Sequence, residues 1–407
     1  MNILHTADWH LGKRLEQFER TDEHRDFLDW LICTLDTELI DLLIVAGDVF
    51  DTGSPSNTAF ELYYKFLRRV QDTCCRNVII VGGNHDSIST LNAPRDMLRY
   101  NNVHVIGGVP DLFTDQIIEI RNAQDELELI VCAVPFLRDK DIRLSVSGET
   151  TGEREFRIKK GITDHYQHFV PLIEPYRSAG IPVMATGHLF AAGSSTSESE
   201  KEIHVGNLGQ VSGDQFPVEF GYIALGHIHR PQLVNQLEHI RYSGSPVALS
   251  FSENEDRKQV LIIEVRGPVI CPARKLEVPC GRRLLRIKGK VEGVKAEILN
   301  LRDQGLKYPA WVEIQVETDS FITGLDEQLN NLRAGKPFID AFFINQRKIR
   351  VRQDLDQLAG EALVLSDLTP REVFLKRCQA ESADTDYNDL IRLFDEAIEG
   401  MDQIETR

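Results

Sequence analysis

Asp8 and His10, in the stretch "HTADWHLGKR", set a carboxylate and an imidazole two residues apart. In extended backbone, side chains at i and i+2 point to the same side, so both would face one point. Trp9 between them would face the other way, into a core. Further on, Asp48 follows "LLIVAG", and Asn84, His85 and Asp86 follow "VIIVGG". His188 follows "VMATG", and His227 and His229 follow "YIALG". Aspartate, asparagine and histidine make an oxygen and nitrogen donor set without thiolate, which suits manganese, magnesium, iron or zinc rather than copper(I) or an iron–sulfur cluster. Seven candidate ligands (Asp8, His10, Asp48, Asn84, His188, His227 and His229) are too many for one ion and suit two that share a bridge. Two ions about 3.5–4 Å apart can clamp a phosphoryl group during in-line displacement. Asp48 is the best bridge, with two oxygens and a central place in chain order. Singly, each residue has a plainer reading: a buried histidine completes a core hydrogen-bond network, and an aspartate after a strand forms a turn. Their co-occurrence at five strand ends carries the metal reading.

The elements that must position these residues follow one pattern through the first 230 positions. Short apolar runs end abruptly in Gly, Asp, Asn or His, and such runs read as strands buried on both faces. Between the early runs lie helical stretches: Phe27, Leu28, Leu31 and Leu35 share one face, and the segment from Tyr63 to Val70 offers another. Alternating strand and helix implies an α/β core. The polar clusters fall at the carboxyl ends of strands, where open α/β sheets place their sites. Glycines 47, 82, 83, 187 and 226 precede the clusters and let backbone approach closely. From about Pro268 the texture changes. "RGPVICPARKLEVPCGRR" reads as an irregular connection. It leads to a small βαβαβ unit with strands in "RLLRIKGKV", "AWVEIQVET" and "FIDAFFINQ" and helices in "VKAEILNLRDQ" and "LDEQLNNLRAG". Thr369, Pro370 and Glu372 then open one helix with a capping box. A last helix carries Leu390, Ile391, Phe394 and Ile398 on one face.

The length of 407 residues favours two domains. The amino terminus has neither the basic n-region nor the long apolar h-region of a signal peptide, and no apolar run reaches the roughly 20 residues of a membrane span. Seven cysteines without Cys-x-x-Cys spacing exclude a disulfide framework and a zinc knuckle. These features place the chain in the cytoplasm. The formal net charge of −17 excludes nucleic-acid binding through bulk charge, leaving local basic patches, bound cations or a partner to supply a positive field.

The strings "GDVFD", "GNHD", "GHL" and "GHIH" after "DWH" resemble, in order, the motifs of calcineurin-like binuclear metallophosphoesterases. More narrowly, "HTADWHLGK", "VAGDVFDTGSPS", "GNHDS" and "ALGHIHRPQ" resemble the SbcD group, the nuclease subunits of bacterial SbcCD complexes. The resemblance implies a two-sheet α/β/β/α sandwich at 1–270, a small α+β capping domain at 281–350 and a helical tail at 365–407. It implies a metal-dependent DNA nuclease, exonuclease on duplex ends and endonuclease on single strands and hairpins, active in replication, recombination and repair. Asp8, His10, Asp48 and His229 would hold one divalent ion, and Asp48, Asn84, His188 and His227 a second, with Mn²⁺ favoured over Mg²⁺. His85 would assist the leaving oxygen, and Asp86 would orient His85 or cap its turn. Relatives from archaea and eukaryotes carry a further histidine where this chain has Asp51. Lys13, Arg14, Arg138 and Lys140 could meet DNA phosphates or simply solvate a surface. The group works with an SbcC-type, SMC-like ATPase. Phe374, Leu390, Ile391, Phe394 and Ile398 would dock on it or fold back on their own domain. The resemblance also implies a homodimer within a heterotetramer, built from helices near Asn57–Val70 and Leu91–Tyr100, and a nucleoid-associated location in the cytoplasm. Rival readings are a metallophosphatase or cyclic-nucleotide phosphodiesterase with the same ions, and a non-catalytic scaffold for the ATPase.

Overall fold

The computed structural model describes residues 1–143, 149–200 and 210–348, together with Leu390, Ile391, Leu393 and Phe394. Strand Asn2–Thr6 pairs in parallel with Leu42–Ala46, which pairs with Asn77–Val81, and that in turn with Val103–Ile106. Gln259–Arg266 closes the other side of Asn2–Thr6 in antiparallel register, Asn2 opposite Glu264. A second sheet runs in the order Gln232–Val234, Leu237–Tyr242, Tyr222–Gly226, Val183–His188, Leu127–Cys132, Ile117–Arg121.

Period-2 alternation in these strands splits their side chains between two layers. Leu42, Ile44, Ile79 and Val81 face inward against Leu129, Val131 and Ala224 of the second sheet. Leu43, Val45, Val78 and Ile80 face outward against helices Thr21–Thr37 and Asn57–Val70. Phe27, Leu28, Leu31 and Leu35 are buried on the first helix, as the spacing predicts. Helices Thr151–Gln167 and Phe169–Ser178 cover the outer face of the second sheet through Ile158, Ile162, Phe169 and Ile173. The result is four layers, helix–sheet–sheet–helix. No described helix is long and apolar enough to cross a membrane, and the six described cysteines are free thiols.

The stretch after Pro268 departs from the sequence reading. Val269–Ile270 and Arg274–Glu277 are short strands that fold back onto Gln259–Arg266. Pro268 and Pro272 flank the first of them and mark a connection by composition, but edge pairing tolerates a proline outside the hydrogen-bonded residues. The small unit is as expected: Leu284–Gly289, Val291–Asn300, Ala310–Thr318, Leu325–Arg333 and Ile339–Lys348 alternate strand and helix, and the strands form one sheet.

Two guanidinium groups and an indole pin that unit to the first domain. Arg282 lies over the Trp311 ring at 4.3 Å, and Trp311 Nε1 donates to Asp340 Oδ2 at 3.0 Å. Glu23 pairs with both Arg282 (2.5 Å) and Arg20 (3.3 Å), while Arg20 donates to the Ala248 carbonyl at 2.7 Å. Phe18, on a hairpin close after the first polar loop, packs on Trp311 and Phe343. All three charged side chains are at most 9% exposed. Removing one partner of a buried pair leaves uncompensated charge, so Glu23→Gln is expected to destabilise the protein by roughly 3 kcal/mol. Breaking the more exposed Lys307–Asp26 pair with Asp26→Asn should cost under about 1 kcal/mol. Thermal denaturation of the two variants measures the contrast.

Of the tail, Thr369, Phe374 and Ile398 lie outside the described residues. Leu390, Ile391 and Phe394 are helical, with Leu390 exposed.

Candidate metal centre

The seven candidate ligands leave the carboxyl ends of five neighbouring strands and meet at one edge of the sandwich. Strand Asn2–Thr6 stops two residues before Asp8, so the Asp8–His10 pair is not in extended backbone. Asp8, His10 and Asp48 instead have positive φ (55°, 47° and 49°), as does His227 (98°). Such conformations cost about 1–3 kcal/mol each outside glycine and persist where surrounding structure enforces them. Here backbone bonds enforce them: Asp8 N–H donates to the Gly47 carbonyl, and His10 N–H to the Asp48 carbonyl, both at 3.0 Å. Two polar loops from adjacent parallel strands are thereby zipped together. Trp9 turns the other way, into the outer core against Phe27 and Phe66.

The side chains sort into two clusters with Asp48 between them. Asp8, His10 and His229 bring one donor atom each within 4.8 Å of one another, and Asp48, His188 and His227 do the same. Asp48 Oδ2 stands 3.5 Å from His10 Nε2 and 3.3 Å from His188 Nε2, so it faces both. Asn84 Oδ1 lies 2.9 Å from His188 Nε2 and 3.2 Å from His227 Nδ1. Every one of these residues but Asn84 is fully buried.

Outer contacts fix which nitrogen each ring offers. His10 Nδ1 donates to Asp51 Oδ1 at 3.2 Å, and His188 Nδ1 to the Ala46 carbonyl at 3.0 Å. His229 Nδ1 meets Ser199 Oγ at 2.6 Å. In each case Nε2 is left for the interior, the usual arrangement of a metal-bound histidine. Asp8 Oδ2 and His10 Nε2 are buried without a hydrogen-bond partner. A buried acceptor left so is costly, and a divalent cation satisfies both. The residues therefore fit the metals that the donor chemistry implies.

Charge in this cluster is strongly perturbed. Burial pushes the Asp8 carboxyl up to about 7, against the pull of His188. Burial also opposes the charge on Asp48, but His188 beside it outweighs that and holds Asp48 well below the usual carboxylate range. Burial holds His227 far below the usual imidazole range, with His188 adding to the effect.

His85 sits beside this pair of clusters, its ring centroid 4.7 Å from that of His10. Its backbone N–H donates to Asp48 Oδ1 at 2.9 Å, and Nδ1 donates to the Asp51 carbonyl at 2.7 Å. The orienting group for His85 is thus Asp51. Asp86 does different work: its carboxylate accepts from the backbone N–H groups of Val49, Phe50 and Gly83 at 2.9–3.1 Å. Neighbouring residues in a chain project in different directions, and this carboxylate finds turn amides. Asp86 therefore clamps the Asp48 loop to the Asn84 loop, the turn-forming alternative for that residue.

Glycine is needed where these loops touch. A Cβ at Gly83 would lie 2.1 Å from Asp48 Oδ1 and 2.3 Å from its backbone nitrogen. Gly83→Ala must displace Asp48 and is expected to weaken Mn²⁺ binding at both clusters by about 10–100-fold. Calorimetric titration measures this, and wild-type affinity would show that Asp48 is not shared.

The four basic candidates are placed unequally. Lys13 Nζ pairs with Asp51 Oδ1 at 3.2 Å, and Arg138 pairs with Asp141 at 3.0 Å. Arg14 and Lys140 are exposed. Sequence reading missed Ser199, Glu200, Glu253 and Lys258, which surround His229. Glu200 Oε1 accepts from His229 N–H at 2.8 Å, Glu253 accepts from Ser199 Oγ at 2.6 Å, and Lys258 Nζ donates to Glu253 at 2.5 Å and to the His229 carbonyl at 3.1 Å. Their only sequence signal is the density of Ser and Glu in "SSTSESE" and "SFSENED".

Comparison with known proteins agrees with this geometry. Residues 1–231 match the calcineurin-like phosphoesterase family. Residues 280–382 match a family described as the type 5 capsule protein repressor C-terminal domain. The chain is similar to SbcD, the smaller-lettered half of the name nuclease SbcCD, from Escherichia coli K12, at 35% identity over 385 residues and 94% of each chain. It is similar to the SbcD proteins of Bacillus subtilis (32% identical, 89% of this chain and 90% of the relative) and Rhodobacter capsulatus (33%, 75% and 76%).

Proposed function

The chain belongs to the calcineurin-like phosphoesterase family and, within it, to the SbcD nuclease subunits, and on that premise we propose how its residues act. It is a metal-dependent nuclease that hydrolyses DNA phosphodiesters as the nuclease subunit of an SbcCD complex. The observation that carries this reading is the pair of buried clusters sharing Asp48, one of which leaves two donor atoms without hydrogen bonds. Asp8, His10, Asp48 and His229 would hold one divalent ion; Asp48, Asn84, His188 and His227 would hold the other. An oxygen and nitrogen donor set suits Mn²⁺ first and Mg²⁺ next. When bound, the two ions supply positive charge to the phosphoryl group and acidify the attacking water.

The chain's own groups do the rest. The carbonyl of Asp51 holds His85 through Nδ1, leaving Nε2 to carry the proton that the departing oxygen takes. The Asp51 carboxylate meanwhile holds His10, so one residue sets both rings in register. Asp86 fixes the two loops that carry Asp48 and His85, which keeps leaving-group assistance aligned with the ligand cluster.

Residues 1–270 form the nuclease domain, 281–350 cap the DNA, and 365–407 dock on the SbcC-type ATPase. DNA ends, hairpins and single strands are the substrates, Arg14 and Lys140 being the basic candidates that stand exposed. A homodimer would use the outer faces of Asn57–Val70 and Arg95–Arg99, where Tyr64, Met97 and Tyr100 are exposed. Removing 365–407 is expected to abolish co-purification with the ATPase while sparing Mn²⁺-dependent hydrolysis. The function itself is tested by digesting free-ended and end-blocked duplex DNA with Mn²⁺, with and without the ATPase. Degradation from free ends supports it. Turnover of a small phosphomonoester or a cyclic nucleotide with intact DNA would replace it with a phosphatase or a cyclic-nucleotide phosphodiesterase.

A further inference from the structure

The segment Ser197–Glu200 connects the small domain to the buried ligand His229. On one side, Arg286, in the first strand of the small sheet, grips both oxygens of Glu198 at 3.1 and 2.5 Å. Arg286 is itself seated by Glu313 of the adjacent strand. On the other side, the next two residues both reach His229. Ser199 Oγ meets its Nδ1, and Glu200 Oε1 takes its backbone N–H. Ser197 closes the segment on itself by donating N–H and Oγ to Glu200 Oε2, each at 2.6 Å. The backbone N–H of Glu198 donates to Ser252 Oγ at 3.0 Å. The segment is therefore also tied to the loop that carries Glu253.

Ser199 lies between an imidazole and a carboxylate. Its hydroxyl can accept from His229 Nδ1–H and donate to Glu253 Oε1, both at 2.6 Å. That chain of two bonds puts the proton on Nδ1 and leaves the Nε2 lone pair for the interior, toward Asp8 and His10. Glu253 is held in turn by Lys258, Ser245 and the Leu249 N–H. The hydroxyl thus has a fixed acceptor and little freedom to rotate away.

We propose that Ser199 is a positioning residue for the ligand His229, and that Arg286 of the small domain holds it there through Glu198. Placement of the cap and affinity of the first metal cluster are thereby coupled: a shift of the small sheet pulls on Glu198 and turns the His229 ring. The inference rests on the two-metal reading of the site. It goes further by assigning a physical link between the cap and one ligand.

The test is calorimetric titration of the whole protein with Mn²⁺, each variant first checked for a wild-type melting temperature without metal. Ser199→Ala is expected to weaken one of two Mn²⁺ sites by about 10–100-fold and leave the other near wild type, with Ser199→Thr recovering much of the loss. Glu198→Gln and Arg286→Gln should each weaken the same site by about two- to fivefold, as befits a partly exposed pair. The double variant should lose no more than either single one. Two wild-type sites in Ser199→Ala would overturn the positioning role. Additive losses in the double variant, or no loss at all, would overturn the link to the small domain. Absence of Mn²⁺ binding in the wild-type protein would instead refute the two-metal reading beneath it.

Discussion

His85→Ala is expected to lower DNA hydrolysis by about 10²–10⁴-fold, the usual contribution of a positioned proton donor, while still binding two Mn²⁺ per chain. The structure separates the two properties. What His85 gives to Asp48 is a backbone N–H, which alanine keeps. What it gives to the reaction is a ring whose Nδ1 is fixed to the Asp51 carbonyl. The ring also shares a cluster with His10 and Asp51 within 4.8 Å, so the metal count matters as much as the rate. Loss of one ion together with activity would make His85 a ligand. Turnover near wild type with both ions present would remove it from proton transfer altogether. Measuring kcat and bound metal on one preparation distinguishes these results.

Asp48→Asn should act in the opposite order, losing metal first. The amide keeps the shape and one oxygen, but it removes the charge that faces both His10 and His188. Mn²⁺ affinity is expected to fall at both clusters by more than the roughly 10–100-fold that outer partners are worth. The metal-free protein should not suffer comparably, since a buried carboxylate is itself expensive. Thermal denaturation checks this simply. In the wild-type protein, Mn²⁺ at about 100 times its dissociation constant adds about 2.7 kcal/mol per site. The variant should melt at nearly the same temperature with and without Mn²⁺. A full Mn²⁺-induced shift in Asp48→Asn would show that the carboxylate is not a shared ligand.

Much of this site is legible in the chain because strand ends are local signals. An apolar run that stops at Gly-Asp, Gly-Gly-Asn-His or Gly-His says where the backbone turns, and parallel pairing then brings those ends side by side. The i, i+2 argument for Asp8 and His10 reached the right convergence through the wrong backbone. Both residues have positive φ, imposed by bonds to the loop at Gly47 and Asp48, and nothing in "ADWH" announces that. The same limit hides Ser199 and Glu253, which reach His229 from loops distant in the chain. Asp86 shows the reverse difficulty. Adjacency to His85 suggested a partnership, whereas the carboxylate serves three amides of the surrounding turns. The strands at Val269–Ile270 and Arg274–Glu277 were obscured by prolines that sit outside the paired residues.

The central claim is that two divalent ions share Asp48. Anomalous diffraction at the manganese edge, from crystals of the wild-type protein grown with Mn²⁺, tests it most directly. Two peaks are expected, one among Asp8, His10, Asp48 and His229, the other among Asp48, Asn84, His188 and His227. A single peak, or a second one away from Asp48, would contradict it.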